Sequence, residues 1–89
     1  MSQAEERPVL PLPAIKLGIY RHYKGQRYQV YGVARHSETL EALVVYRPLY
    51  GEGALWVRPY AMFTGRIEVD GVDQPRFEWV DPGHDGGLH

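Results

Sequence analysis

The run LGIYRHYKGQRYQVYGVAR, residues 17–35, decides the fold because it predicts two β-strands joined by a tight turn. Residues 17–23 form the first predicted strand. The second, residues 27–35, is rich in tyrosine and valine, which favour extended, pleated backbone. Between the two strands, Gly25 supplies the positive φ that a short hairpin turn needs. The stretch therefore predicts an antiparallel pair at the start of the folded region.

The rest of the chain repeats this pattern of short strands and turns. Further strands are predicted at residues 43–49, 54–58, 66–69 and 76–80, with one irregular or helical turn at 59–64. No window of a dozen residues carries a helical stripe, so a long amphipathic helix is excluded. We expect an all-β fold, either a small, strongly curved antiparallel sheet or an SH3-like, partly open barrel of five to six strands, with at most one short helical turn.

Of these two architectures, the barrel is favoured by the residues of the second and third strands. Both faces of these strands carry apolar side chains, as expected of a sheet that folds over itself. Gly32 lies in the middle of the second strand, where a β-bulge or a sharp bend is tolerated. The sequence therefore predicts that the sheet bends near this glycine.

The length of the chain bounds its domain organisation. Eighty-nine residues provide room for one domain. Residues 1–16 contain three prolines and form a predicted N-terminal arm, residues 17–80 form a single β domain, and residues 81–89 form a disordered tail.

Composition narrows the class of protein. The absence of cysteine excludes disulfides, thiolate metal sites and cysteine nucleophiles, and it suits a reducing compartment, so a cytoplasmic location is expected. The first residues are polar and lead into no apolar run, so no membrane partner is expected. Ten basic against eleven acidic residues give a formal charge of −1, whereas proteins that bind nucleic acid mainly through its phosphates usually have a basic excess.

The densest polar segment, residues 35–41, is the first candidate site. It connects two apolar strands yet lacks Gly, Pro, Asn and Asp, the residues that usually form turns. Its residues are therefore selected for their side chains, either as ligand contacts or as a structural polar network. A plain solvated loop is the alternative reading, and both stay open at this point.

Strand direction decides which other residues can join this loop. In an up-and-down meander the second and fourth strands run the same way, so Arg58 lies at the same end as the loop. Trp56 and Arg58 alternate onto one face, and Arg58 could pair with Glu38 or Glu41. His22, about 25 Å from the loop in a flat sheet, belongs to the opposite end. The predicted ligand-binding residues are Arg35, His36, Ser37, Glu38, Glu41, Trp56 and Arg58.

Catalysis at this loop is a second alternative, with no catalytic residue assigned. His36, Ser37 and Glu38 are adjacent, but neighbours in extended chain point to opposite faces, which excludes a Ser-His-acid triad. His36 with Glu38 or Glu41 could serve as an acid–base pair. One histidine and two carboxylates without recognised spacing predict no metal site, and no cofactor is expected. We lean towards a protein that is not an enzyme.

The first hairpin is the second candidate surface. It interleaves aromatic and basic side chains, a mixture that stacks nucleobases and attracts phosphates in small barrel domains. The alternative is that its tyrosines belong to the core and its charges keep an edge strand soluble. The residues of this nucleic-acid or nucleotide alternative are Tyr20, Arg21, Tyr23, Lys24 and Arg27.

Five runs carry a resemblance to a known family: GIYRHYKG at 18–25, ARHSETLE at 34–41, VVY at 44–46, LWVRP at 55–59 and RF at 76–77. In this order, across roughly residues 17–80, they resemble a bacterial family of small proteins, the domain-of-unknown-function family numbered 1653. The resemblance implies a small stand-alone bacterial domain and assigns no activity, cofactor or catalytic residue. The expected function is a binding or interaction module for a small polar ligand or a protein partner.

Overall fold

A computed structural model describes residues 11–83, and over this range the chain forms seven strands and one helical turn. Five strands form one antiparallel sheet in the order β4-β3-β2-β1-β7, and β5 pairs with β6 in a second sheet. The prediction of an all-β antiparallel fold is confirmed. The elements are β1 Gly18–His22, β2 Arg27–Arg35, β3 Ala42–Pro48, β4 Trp56–Pro59, α1 Tyr60–Phe63, β5 Arg66–Val69, β6 Val72–Pro75 and β7 Phe77–Asp81.

The five-stranded sheet is curved but open. Its edge strands β4 and β7 do not pair with each other, so the chain adopts the curved sheet of the two predicted architectures and not the barrel. The curvature brings side chains of the two edges together, since the guanidinium carbon of Arg58 in β4 lies 5.5 Å from the ring centroid of Phe77 in β7. Apolar side chains on both faces do not require closure, because one face is covered by α1 while the other keeps half-buried and exposed residues such as Val57.

The predicted bulge in β2 is present. Val30 lies opposite Tyr46 of β3 and Gly32 opposite Val45, so the register shifts at Tyr31, which is the extra residue. Gly32 has φ +154°, a conformation that suits glycine. The bulge aims the Tyr31 hydroxyl at Arg47, whose Nε donates a hydrogen bond to it over 2.7 Å.

Strand β6 is the element that the sequence does not predict. Two of its four residues, VDQP at 72–75, are polar and the last is a proline, so they carry no strand signal. The strand forms because Asp70 and Gly71 both adopt positive φ, the requirement of a type I′ hairpin, and return the chain onto β5. Within residues 11–83, no helix is long and apolar enough to cross a membrane.

The pleat gives the five-stranded sheet two faces, and the face packed against α1 is called the front face. Phe63 of α1 stacks on Phe77 with ring centroids 4.1 Å apart, and neither Phe63 nor Val44 has any exposed surface. The core is thus one aromatic layer between the sheet and α1. Its buried members are Tyr20, Tyr28, Val30, Val44, Tyr46, Phe63 and Phe77.

The described part of the N-terminal arm lies against this core. Ile15 packs on the buried cluster, and the hydroxyl of Tyr20 donates a hydrogen bond to the carbonyl of Lys16 over 2.6 Å. The Nζ of Lys16 also lies 3.5 Å from the ring centroid of Trp79, a cation–π contact. The segment therefore follows the sheet.

The predicted tail begins inside a strand. Asp81, which the sequence places in the tail, lies opposite Ile19 in the pairing of β7 with β1. Residues 1–10 and 84–89, which hold the rest of the predicted arm and tail, lie outside the described residues.

Candidate functional site

The connection between β2 and β3 lies where the sequence places it. Strands β2 and β4 both run antiparallel to β3, so they run in the same direction, which confirms the predicted meander. Arg35 and Ala42 face each other at the base of the connection, and Arg58 lies opposite Val44, two residues further along β3. The backbones of the loop and of Arg58 therefore share one end of the sheet.

Within this loop, the polar side chains bond to the loop itself. The Nδ1 of His36 accepts backbone N–H groups from Glu38 at 3.0 Å and Thr39 at 3.1 Å. The Thr39 hydroxyl lies 3.3 Å from a carboxylate oxygen of Glu41, and the Arg35 guanidinium donates to the carbonyl of Leu40 over 3.1 Å. These contacts favour a structural polar network over an open ligand site. Ser37 and Glu38 remain exposed.

Trp56 and Arg58 turn away from the loop and onto the front face. The Arg58 Nε donates a hydrogen bond to the Tyr46 hydroxyl over 3.2 Å, and the Trp56 ring centroid lies 6.1 Å from that of Tyr46. The ion pair expected between Arg58 and Glu38 or Glu41 does not form in the described part of the chain. Strand alternation is the reason, because it directs Arg58 to the aromatic layer.

The five hairpin residues of the nucleic-acid alternative separate. Tyr20 is buried in the core, while Arg21 and Arg27 project from the opposite face of the sheet, the back face. Arg21 forms an ion pair of 2.8 Å with Glu78. Tyr23 and Lys24 remain together at the turn, with the Lys24 Nζ 5.8 Å from the Tyr23 ring centroid.

His22, which the sequence places at the opposite end of the sheet from Arg58, lies close enough for the charge of Arg58 to lower its pKa. The His22 ring centroid is 4.9 Å from that of Phe77, the same ring that Arg58 covers. The backbone N–H of Tyr23 donates to the carbonyl of Arg76 over 3.0 Å, which places Arg76 beside this pair. Four basic residues thus surround one edge of the aromatic layer. We call His22, Lys24, Arg58 and Arg76 the basic cluster.

The electrostatics of His22 reflect this arrangement. Partial burial is the largest cause that lowers the pKa of His22 below its ordinary 6.5, and the charges of Arg58, Lys24 and Arg76 lower it further. His22 is therefore neutral at pH 7 and can donate or accept a hydrogen bond. No carboxylate contributes to the shift in its pKa.

The basic cluster has no acidic partner in the described residues. Between residues 11 and 83, the ion pairs within 4.0 Å join Arg21 to Glu78 and Arg66 to Asp73. Glu78 lies in the same depression, of about 530 Å³, as His22 and Lys24, but its carboxylate is held by Arg21. The Nε of Arg76 is buried and has no hydrogen-bond partner among the described residues. An anion is the complement of this arrangement.

Exposed aromatic rings continue the surface beyond Arg58. Trp56 and Tyr50 are 43% and 46% exposed, and the hydroxyls of Tyr50 and Tyr28 lie 3.1 Å apart. Burial, followed by this hydrogen bond, raises the pKa of Tyr28, so its hydroxyl stays protonated. The rings of Trp56 and Tyr28 approach to 6.4 Å between centroids, which joins the exposed rings to the basic cluster.

The sequence alone does not identify two members of the basic cluster. Arg76 follows a proline between two short strands, and the only signal for it is the Arg76-Phe77 run that contributes to the family resemblance. Distances in a flat sheet place His22 too far from Arg58 to share a site with it. The sheet is curved and brings β4 to β7, so those distances do not apply. No group of three His, Asp or Glu residues between 11 and 83 is placed to hold a metal ion.

Comparison with known proteins identifies relatives. Residues 18–79 match the family model described as "Protein of unknown function (DUF1653)". A solved structure, the crystal structure of a protein of that family from Bordetella bronchiseptica, is similar at a TM-score of 0.70 and 37% sequence identity, over 80% of this chain and 91% of that one. No curated protein matches the chain. The family match covers well over half of the 89 residues, so the chain belongs to the DUF1653 family of proteins of unknown function.

Proposed function

We propose that this protein is a non-catalytic binding module for a nucleotide-type ligand, with a phosphate at the basic cluster and a base on the neighbouring exposed rings. The observation that carries the proposal is the convergence of His22, Lys24, Arg58 and Arg76 with no acidic partner within 4.0 Å in residues 11–83. Like charges brought together destabilise the folded state unless something offsets them, and a bound anion does so.

The donors of the cluster suit phosphate oxygens. Guanidinium groups present several N–H donors in a fixed plane, which matches the geometry of a phosphate. Arg58 is already oriented by the Tyr46 hydroxyl and the Phe77 ring, so little side-chain freedom remains to be lost on binding. The buried Nε of Arg76 marks a donor that no group in residues 11–83 satisfies.

The exposed rings suit the other half of a nucleotide. Trp56 and Tyr50 project where an aromatic base can stack, and stacking contributes about 1–3 kcal/mol per base. Tyr23, beside Lys24, offers a third ring. The alternation of basic and aromatic groups that the sequence assigns to the first hairpin is thus found between that hairpin and β4.

The surroundings of His36 and His22 favour a binding function over a catalytic one. In His36, the acid–base group of the enzymatic alternative, Nδ1 accepts hydrogen bonds from two backbone N–H groups of its own loop. Glu78 lines the same depression as His22, but Arg21 binds its carboxylate, so it does not form an acid–base pair with His22. The formal charge of −1 favours a short ligand over a long polyanion.

The test compares adenosine 5′-monophosphate with adenosine and inorganic phosphate, each titrated into the ¹⁵N-labelled protein. We expect the nucleotide to shift the resonances of His22, Arg58 and Arg76, and to bind at least about tenfold more tightly than either fragment. A hexadeoxyadenylate measured over a range of salt concentrations then separates a single-strand ligand from a free nucleotide, since only the former loses affinity steeply with salt.

Matched variants locate the site. R58Q and R76Q each remove one guanidinium, and each should weaken nucleotide binding by about tenfold, one lost charge-assisted hydrogen bond. R66Q is the control, because Arg66 pairs with Asp73 in the separate two-stranded sheet. Equal binding of adenosine and its monophosphate, or equal losses in all three variants, would reject the proposal.

A further inference from the structure

We propose that the back face carries a second binding site, for a small monocarboxylate with an apolar body. A cavity of about 440 Å³ opens there, on the side of the sheet opposite to the basic cluster. The proposal is independent of the nucleotide site, because no member of the basic cluster lines this cavity. The side chains that carry the argument are Ile19, Arg27, Gln29, Arg47, Leu49 and Asp81.

The first argument is a largely buried glutamine whose amide has no hydrogen-bond partner in residues 11–83. Gln29 is only 4% exposed, and its side chain faces the backbone of Gly83, where a Cβ would come within 2.9 Å of Oε1 and 3.4 Å of Nε2. No hydrogen bond joins this amide to another group in residues 11–83. Gln29 lines the cavity, so its amide can offer a donor and an acceptor to a ligand that enters there.

Two guanidinium groups flank this amide. Arg47 lies opposite Gln29 in the pairing of β2 with β3, and Arg27 lies two residues before Gln29 on the same face. The Nε of Arg47 donates to the Tyr31 hydroxyl over 2.7 Å, which fixes its guanidinium plane and leaves its terminal nitrogens as donors. Neither arginine has a carboxylate within 4.0 Å in the described range. A carboxylate matches such a planar fork.

The remaining lining sets the charge and shape of the ligand. Asp81 brings one negative charge to the cavity, so the two arginines leave a net charge of +1, which favours a monoanion over a dianionic phosphate. Ile19 and Leu49 provide apolar wall, and a buried Ile19 gives it a fixed shape. The volume lies within the range of about 300–1,000 Å³ that small-molecule sites occupy.

The experiment titrates 4-methylpentanoate into the ¹⁵N-labelled full-length protein, with 4-methylpentanamide and inorganic phosphate as comparisons. We expect the carboxylate to shift the resonances of Ile19, Gln29 and Arg47, with affinity at least about tenfold above that of the amide and of phosphate. Equal affinity for the acid and its amide would overturn the proposal, and so would the absence of shifts at these residues at about 10 mM ligand.

Two variants show whether the cavity is responsible. R27Q removes one guanidinium, while R21Q makes the same change on the same face outside the cavity, where Arg21 is bound to Glu78. We expect R27Q to weaken 4-methylpentanoate binding by about tenfold and R21Q to leave it unchanged. Q29E, which places a like charge against the ligand, should abolish binding. R58Q should have no effect, which separates this site from the nucleotide site, and equal affinities of R27Q and R21Q would contradict the proposal.

Discussion

The two faces of the five-stranded sheet are built by the same strands but have opposite characters. The front face is an aromatic layer closed by Phe63, which has no exposed surface. The back face holds the largely buried Gln29, three arginines and an exposed Val57. Because successive residues of a strand point to opposite faces, the chain places the aromatic core in one set of positions and the cavity lining in the other. The two sets can therefore change almost independently.

The largest difference in stability between the two faces is expected at Phe63. F63A should lower the free energy of unfolding by about 3–5 kcal/mol, because it empties the centre of the core and removes the ring stacked on Phe77. V57A, on the back face, should change it by less than about 0.5 kcal/mol, because Val57 is 57% exposed. Urea denaturation followed by tryptophan fluorescence measures both. Similar losses in the two variants would show that the faces share the core.

The next largest effect is expected at Gly18, where β1 lies tightly against the last strand. A Cβ at this position would lie 2.4 Å from the carbonyl oxygen of Asp81, and the residue has φ +135°. G18A should therefore cost about 3 kcal/mol from strain and crowding together. G25A is the control, since Gly25 has φ +109° but no atom within 4 Å of a Cβ. A loss in G25A as large as in G18A would show that crowding against β7 is unimportant.

Replacement of Gln29 should raise the free energy of unfolding, whereas the preceding substitutions lower it. Q29M keeps the length of the side chain and removes the amide that has no partner in residues 11–83, so it should raise the free energy of unfolding by about 1 kcal/mol. Thermal unfolding measures the gain, which would show that this residue serves the cavity and not the fold. A loss of stability would mean that the amide is satisfied in solution.

A smaller, pH-dependent effect is expected from His22. The pKa of His22 is lower in the folded state than in the unfolded chain. As the pH falls below about 6.5, the unfolded chain therefore binds a proton at His22 before the folded protein does. The contribution of neutral His22 to the free energy of unfolding is thus fully present above about pH 6.5 and is lost as the pH falls through the folded-state pKa. Solvent around the half-buried ring keeps this loss small. Unfolding from pH 8 to 5 should show a steeper decline for the wild type than for H22Q. Parallel curves would contradict the lowered pKa.

The smallest effect concerns the ion pair between Arg21 and Glu78 on the back face. Its side chains are 46% and 56% exposed, so solvent and salt screen the 2.8 Å contact. A double-mutant cycle with R21Q and E78Q should yield a coupling of about 0.3 kcal/mol that disappears at high salt. A coupling above about 1 kcal/mol would show that the pair is part of the fold.

Local sequence signals were enough to predict most of the fold. Tyr28 and Val30 indicate a strand, Gly25 a turn and Gly32 a bulge, and all three features are present. These features depend on the preferences of a few neighbouring residues, which the sequence contains directly. Strand direction likewise placed the loop and the backbone of Arg58 at one end.

The candidate site required information that no local pattern holds. Curvature of the sheet brings Arg58 of one edge over Phe77 of the other, and this depends on how the whole aromatic layer packs. His22 and Arg76 join Arg58 only as a result of that curvature. The loop around His36 attracted attention for its polarity, yet that polarity largely serves its own backbone. Side-chain direction, and not residue type, separates the two cases.

The position of β1 between β2 and β7 has a consequence for synthesis on the ribosome. The first strand pairs at once with its neighbour, but its other edge waits for Phe77–Asp81, more than fifty residues later. A nascent chain that ends before β7 exposes the open hydrogen-bonding edge of β1 and lacks the ring that closes the aromatic layer. Completion of the five-stranded sheet is thereby postponed until Asp81 has left the exit tunnel.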